Sequence, residues 1–152
     1  MFPTNLRKPK DSDCFICKRI LLWEKSINPY FIHEFENSIL VLGDHQYFEG
    51  YSLLLLKKHV RELHELPDKI QINLYQELML AGKAIHKTFR PWKMNYSCYG
   101  NTVEHVHWHI FPRYEKETDH KMYPWLHSGE FKNFMVDGKQ AKDTILRIKK
   151  NL

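Results

Sequence analysis

Apolar side chains recur along this chain with two different periods. Ile70, Leu74, Leu78, Ala81 and Ile85 follow one another at intervals of three and four, which places them on one side of a helix. The spacing predicts a long helix that opens at Pro67-Asp68 and ends near Phe89, ahead of Pro91. Elsewhere the apolar runs are short. Residues 30–34 and 38–42 read as a strand pair turning at Glu36-Asn37, and residues 94–99 as a further strand. Residues 51–56 are apolar almost without interruption, as expected of a strand buried on both faces. Residues 103–111 form the last strand, closed by Pro112. Short helices are expected over residues 20–26 and 139–148, after a polar lead-in of residues 1–13. Strands that precede, flank and follow one main helix predict an α+β fold with a largely antiparallel sheet.

A chain of 152 residues, 43% hydrophobic, has the material for one core, so residues 1–152 are expected to form a single domain. The wealth of aromatics and the low glycine content exclude a disordered or collagen-like chain. No apolar stretch approaches the roughly 18–20 residues of a membrane helix, and the N-terminus lacks the apolar segment of a secretory signal. These features predict a soluble, cytoplasmic protein without a membrane partner. The formal charge of +5 suits an anionic ligand such as a nucleotide or polyphosphate. The charge is spread along the chain with no basic arm, so a nucleic-acid partner is not expected. Three cysteines do not make a disulfide framework. Cys14-Phe15-Ile16-Cys17 can chelate a soft metal, although redox motifs share the spacing.

The most informative segment runs from His105 to Phe111. It alternates polar and apolar residues, so on a strand His105, His107 and His109 share one face, with Val106, Trp108 and Ile110 turned to the core. Neighbouring histidines would then stand about 6.6–6.8 Å apart and the outer two about 13 Å, too far for all three to hold one metal ion. A histidine-rich solvent face would produce the same pattern. The chemical alternative is nucleophilic catalysis, because a neutral imidazole near its pKa is a competent nucleophile toward phosphorus once an acceptor holds its other nitrogen.

The run Gly100-Asn101-Thr102-Val103-Glu104-His105-Val106-His107-Trp108-His109-Ile110-Phe111-Pro112-Arg113 resembles the signature of the histidine triad family of nucleotide-binding proteins, whose pattern is His-φ-His-φ-His-φ-φ with φ apolar. The resemblance extends to residues 14–20, to Phe35-Glu36-Asn37 and to residues 53–66 with Lys58-His59-Val60, and so covers residues 14–113. It implies a nucleotidyl hydrolase or transferase of the bacterial diadenosine polyphosphate hydrolase type or the phosphoramidase type. His107 would attack the α-phosphorus to give a nucleotidyl-histidine, with His109 at the α-phosphate or bridging oxygen. It further implies Asp44 at the ribose, Phe15, Ile16 and Ile20 around a purine base, and Asn95 and Asn101 beside the phosphates. In several members two cysteines and two histidines bind structural zinc, here matched by Cys14, Cys17, His59 and His105. The resemblance also implies a homodimer and leaves Mg²⁺ open as a companion of the substrate. A nucleotide-binding regulatory module with little catalysis is the alternative, and a zinc-stabilised interaction domain a third reading. Three features depart from the family pattern: the aromatic loop of residues 46–51, Asn101 and Glu104, and residues 116–134 with His120, Tyr123, Trp125 and His127. The last is the expected source of substrate specificity, and residues 114–152 are left without a place in the fold.

Overall fold

The computed structural model describes residues 13–152, so nearly all of the polar lead-in lies outside the described residues. In chain order the elements are α1 (Phe15–Glu24), β1 (Phe31–Glu34), β2 (Ser38–Leu42), β3 (Ser52–Leu56), α2 (Asp68–Phe89), β4 (Lys93–Ser97), β5 (His107–Arg113) and α3 (Gly138–Lys149). Short 3₁₀ segments lie at Leu63–Glu65 and Pro124–Phe134. The five strands form one antiparallel sheet in the order β1-β2-β3-β5-β4. The α+β architecture is therefore the one the periodicities imply. No helix among the described residues is long and apolar enough to cross a membrane.

Both faces of the sheet are covered, which is why β2 and β3 read as continuous apolar runs. On one face Leu40, Leu42, Leu54 and Leu56 pack against Ile70, Leu74, Leu78, Ala81 and Ile85 of α2 and Ala141, Ile145 and Ile148 of α3. Burying each such large side chain contributes about 1.5–3 kcal/mol, and this stripe holds α2 on the sheet. On the other face Ile39, Val41 and Leu55 meet Ile16 and Ile20 of α1. Farther along that face lies an aromatic group of Phe48, Tyr51, Phe111 and Phe131. The C-terminal residues without a sequence-based place thus supply α3 to the first layer and Phe131 to the second.

Two boundaries differ from expectation. The first helix starts at Phe15 rather than near Ile20, because Cys14 caps it: its Sγ accepts from the Cys17 amide at 3.4 Å. The last strand starts at His107 rather than Val103 and continues through Pro112. Pro112 lies beyond Ile110, the last residue of β5 paired with β3, where only β4 remains alongside and a missing N–H is tolerated. His105 is consequently outside the strand, in the bend that leads into it.

Candidate active site

The pairing of β3 with β5 assembles the site. Leu53 stands opposite His109 and Leu55 opposite His107, on the face shared with α1 and the aromatic group. Between α1 and those aromatics opens a pocket of about 530 Å³. Its lining includes Phe15, Ile16 and Arg19 from α1, Asp44 and His45 after β2, Tyr51 and Leu53, the turn at residues 99–103, both strand histidines and Trp125.

His107 is buried, and its Nδ1 lies 2.6 Å from the carbonyl oxygen of His105. A carbonyl only accepts, so Nδ1 carries a proton, and in the neutral tautomer the lone pair is on Nε2. This is the arrangement a nucleophilic imidazole requires. His109 Nδ1 lies 2.7 Å from the Tyr51 hydroxyl, and burial, with His107 and His45 adding to it, holds His109 down to about 3. His45 stacks on Phe131 at 3.9 Å and on Tyr51 at 4.5 Å. Burial lowers it to about 4 against the opposing pull of Asp44. At the mouth, Asp44 accepts from Arg19, whose guanidinium lies over the Phe15 ring at 4.7 Å and the Tyr30 ring at 5.5 Å.

His105 has a different task. Its Nε2–H donates to the Leu56 carbonyl at 2.7 Å, which leaves Nδ1 facing Cys14 Sγ and Cys17 Sγ, both at 3.5 Å. Cys17 Sγ is also 3.3 Å from His59 Nδ1, and the four donor atoms all lie within 4.8 Å of one another. Tetrahedral zinc, with bonds of about 2.3 Å to sulfur and 2.0–2.1 Å to nitrogen, spaces its neighbouring donors by about 3.3–3.8 Å. The Cys₂His₂ set therefore fits that ion in donor chemistry, and the separations of Cys17 from both histidines and of Cys14 from His105 match that spacing. Among the described residues it is the one group of three or more such side chains close enough to hold a metal.

The expected site residues divide accordingly. Phe15, Ile16, Asp44, Asn101, His107 and His109 meet around the pocket, while Cys14, Cys17, His59 and His105 meet beside it. The three histidines do not share one strand face, because the bend before β5 turns His105 toward the cysteines. Ile20 is buried with Ile39 and Val41 and does not line the pocket. Asn95 lies in a neighbouring recess with Trp92 and His120, where its Oδ1 accepts from Arg113 Nη1 at 3.0 Å. Sequence reasoning missed Arg19, His45, Tyr51, Tyr99 and Thr102. Trp125 comes from the segment expected to govern specificity; its ring meets His109 edge-on at 4.9 Å.

The family model described as the HIT domain matches residues 24–116, well over half of the chain. The chain belongs to the histidine triad family. Among its relatives in that family, an adenosine 5′-monophosphoramidase of Saccharomyces cerevisiae is 26% identical over 109 residues, 71% of this chain and 67% of that protein. An adenylylsulfatase of Arabidopsis thaliana is 27% identical over 111 residues, 70% of this chain and 55% of that protein. The histidine triad fold is shared with a zinc-bound family protein from Mycobacterium smegmatis. That structure superposes with a TM-score of 0.67 at 18% identity over 93% of this chain and 94% of the other.

Proposed function

We propose that this protein is a nucleotidyl hydrolase or transferase that works through a covalent nucleotidyl-histidine on His107. The observation that carries the reading is the hydrogen bond from His107 Nδ1–H to the His105 carbonyl, which in the neutral ring leaves the lone pair on Nε2, beside a pocket of nucleotide size. The names of the phosphoramidase and adenylylsulfatase relatives support cleavage at the α-phosphorus. The candidate substrates are dinucleoside polyphosphates, nucleoside phosphoramidates and adenylyl sulfate. In this reading Phe15 and Ile16 flank the base and the Asp44 carboxylate accepts from the ribose hydroxyls, with Arg19 orienting it. Asn101 and Thr102 lie along the phosphates. His107 Nε2 attacks phosphorus while His109 hydrogen-bonds the bridging oxygen, and water or another acceptor then releases the nucleotide. Neither Ile20 nor Asn95 contributes to this pocket.

Cys14, Cys17, His59 and His105 would hold zinc. A closed four-ligand shell supplies structure rather than Lewis acidity at the substrate.

The test is an acid-quenched intact-mass assay over diadenosine polyphosphates, adenylyl sulfate and adenosine 5′-phosphoramidate, with mononucleotide release followed in parallel. A transient nucleotidyl adduct should accompany release. His107→Ala should lose both, with turnover falling by roughly 10³-fold or more while nucleotide affinity is retained. Binding without adduct or release from any compound would favour a regulatory nucleotide-binding module.

A further inference from the structure

His107 and His109 are neighbours on β5, with ring centroids 4.9 Å apart, but they are held in opposite senses. A backbone carbonyl holds His107, and a phenol holds His109. The Tyr51 ring that carries this phenol is firmly seated. It stacks on Phe111 at 4.5 Å with 4° between planes, and on His45 at 4.5 Å. Its edge fills the space where a side chain at Gly43 would begin, so a Cβ there would collide with the ring.

Tyr51 is 4% exposed, and among the described residues its hydroxyl has one hydrogen-bond partner, His109 Nδ1. A buried hydroxyl needs an acceptor for its proton. The phenol therefore donates, Nδ1 accepts, and the proton of the neutral ring sits on Nε2. Neither group readily changes this state. Burial, with His107 and His45, disfavours a charged His109, and burial, then Asp44, outweighs Arg19 in keeping the proton on Tyr51. If His109 surrendered its Nε2 proton, either an imidazolate would form or Tyr51 would become a phenolate close to the Asp44 carboxylate. Both outcomes are strongly uphill. His109 can give a hydrogen bond but cannot serve as a proton donor.

We infer that Tyr51 is a positioning residue that locks His109 as a neutral Nε2–H donor, and that the pocket therefore suits leaving groups that depart as stable anions, namely phosphates or sulfate joined to the nucleotide through an anhydride oxygen. Amines, which need a proton as the P–N bond breaks, suit it poorly. This rests on the reading of His107 as nucleophile. In the first step the His107 Nε2 lone pair forms the N–P bond. The P–O bond to the bridging oxygen breaks, and its electron pair leaves on the phosphate or sulfate. The His109 hydrogen bond stabilises that charge without transferring the proton. In the second step a water oxygen attacks phosphorus, the N–P electron pair returns to Nε2, and the water proton passes to solvent.

The experiment compares kcat/KM for diadenosine tetraphosphate, adenylyl sulfate and adenosine 5′-phosphoramidate, together with adenosine 5′-aryl phosphates whose phenols span a range of acidity. A general acid is worth roughly 10²–10⁴-fold, so its lack should leave the phosphoramidate at least ~100-fold slower than the anhydrides. The aryl series should slow steeply as the phenol becomes less acidic. Tyr51→Phe keeps the stacked ring and frees Nδ1. It should lower kcat on the anhydrides by about 10- to 100-fold with KM nearly unchanged. Nitrogen-15 NMR of the histidine rings should show His109 as the Nε2–H tautomer in the wild type and as a mixture in Tyr51→Phe. A phosphoramidate turned over as fast as the anhydrides, a flat aryl series, or an Nδ1–H tautomer would each overturn the inference. If no compound gives turnover that depends on His107, the covalent reading itself fails, and the NMR tautomer still decides the role of Tyr51.

Discussion

Neutral imidazoles buried in the pocket wall make stability depend on pH. His45 is held down to about 4 and His109 to about 3, chiefly by burial, against about 6.5 in an unfolded chain. From pH 6.5 down to about 4 at His45 and about 3 at His109, the unfolded chain binds protons that the native protein does not. This contribution to stability is therefore complete above pH 6.5 and lost as pH falls through that window. The melting temperature should decline from pH 7 to pH 5, and His45→Phe, which preserves a ring against Tyr51 and Phe131, should flatten the decline. If the variant follows the same slope as the wild type, His45 is not the acid-sensitive group. At this level the sequence was partly legible. His107 and His109 announce themselves through their alternation with Val106, Trp108 and Ile110. Tyr51 does not, because nothing near it in the chain says that its hydroxyl will meet an imidazole 58 residues later.

Among the elements, α2 was the clearest from sequence and yet carries a feature the apolar stripe conceals. Glu77 lies on the buried side of this helix at 6% exposure. Its carboxylate accepts from the Asn37 amide at 2.8 Å, the Asn37 side chain at 3.0 Å and the Ser38 hydroxyl at 2.5 Å. The β1–β2 turn is thereby fixed to α2, and with it the register of β2, which leads to Asp44 and His45. Glu77→Ala would strand these donors in the interior and should cost about 2–4 kcal/mol in urea denaturation. A loss below about 0.5 kcal/mol would mean that water replaces the carboxylate without penalty. The first helix illustrates the opposite case. Its apolar residues suggested a start near Ile20, whereas the Cys14 cap adds a turn and carries Phe15, Ile16 and Arg19 to the pocket.

Across the molecule, the Cys₂His₂ cluster joins the start of α1, the segment after β3 and the approach to β5, bringing together residues 91 apart in sequence. A metal there would restrain loops whose closure is otherwise entropically costly. Elemental analysis should find one zinc per chain. Chelation or Cys17→Ser should lower the melting temperature by several degrees (~1 kcal/mol shifts it by about 2–8 °C) and weaken nucleotide binding, because α1 supplies one wall of the pocket. A protein purified without zinc, with a melting temperature indifferent to chelators, would remove the metal from this account.

Local chemistry made the strands, the long helix and the adjacency of His107 and His109 readable in the residues alone. Alternation, helical spacing and turn propensity act over a few residues and leave their mark there. The direction of the Tyr51 proton, the separation of His105 from its two neighbours, the turning of Asn95 toward Arg113 and the anchoring of Asn37 by Glu77 depend on strand register and on which buried polar groups meet. Those partners lie far apart along the chain and are selected together by packing, since each buried donor must find its acceptor in the same assembled core.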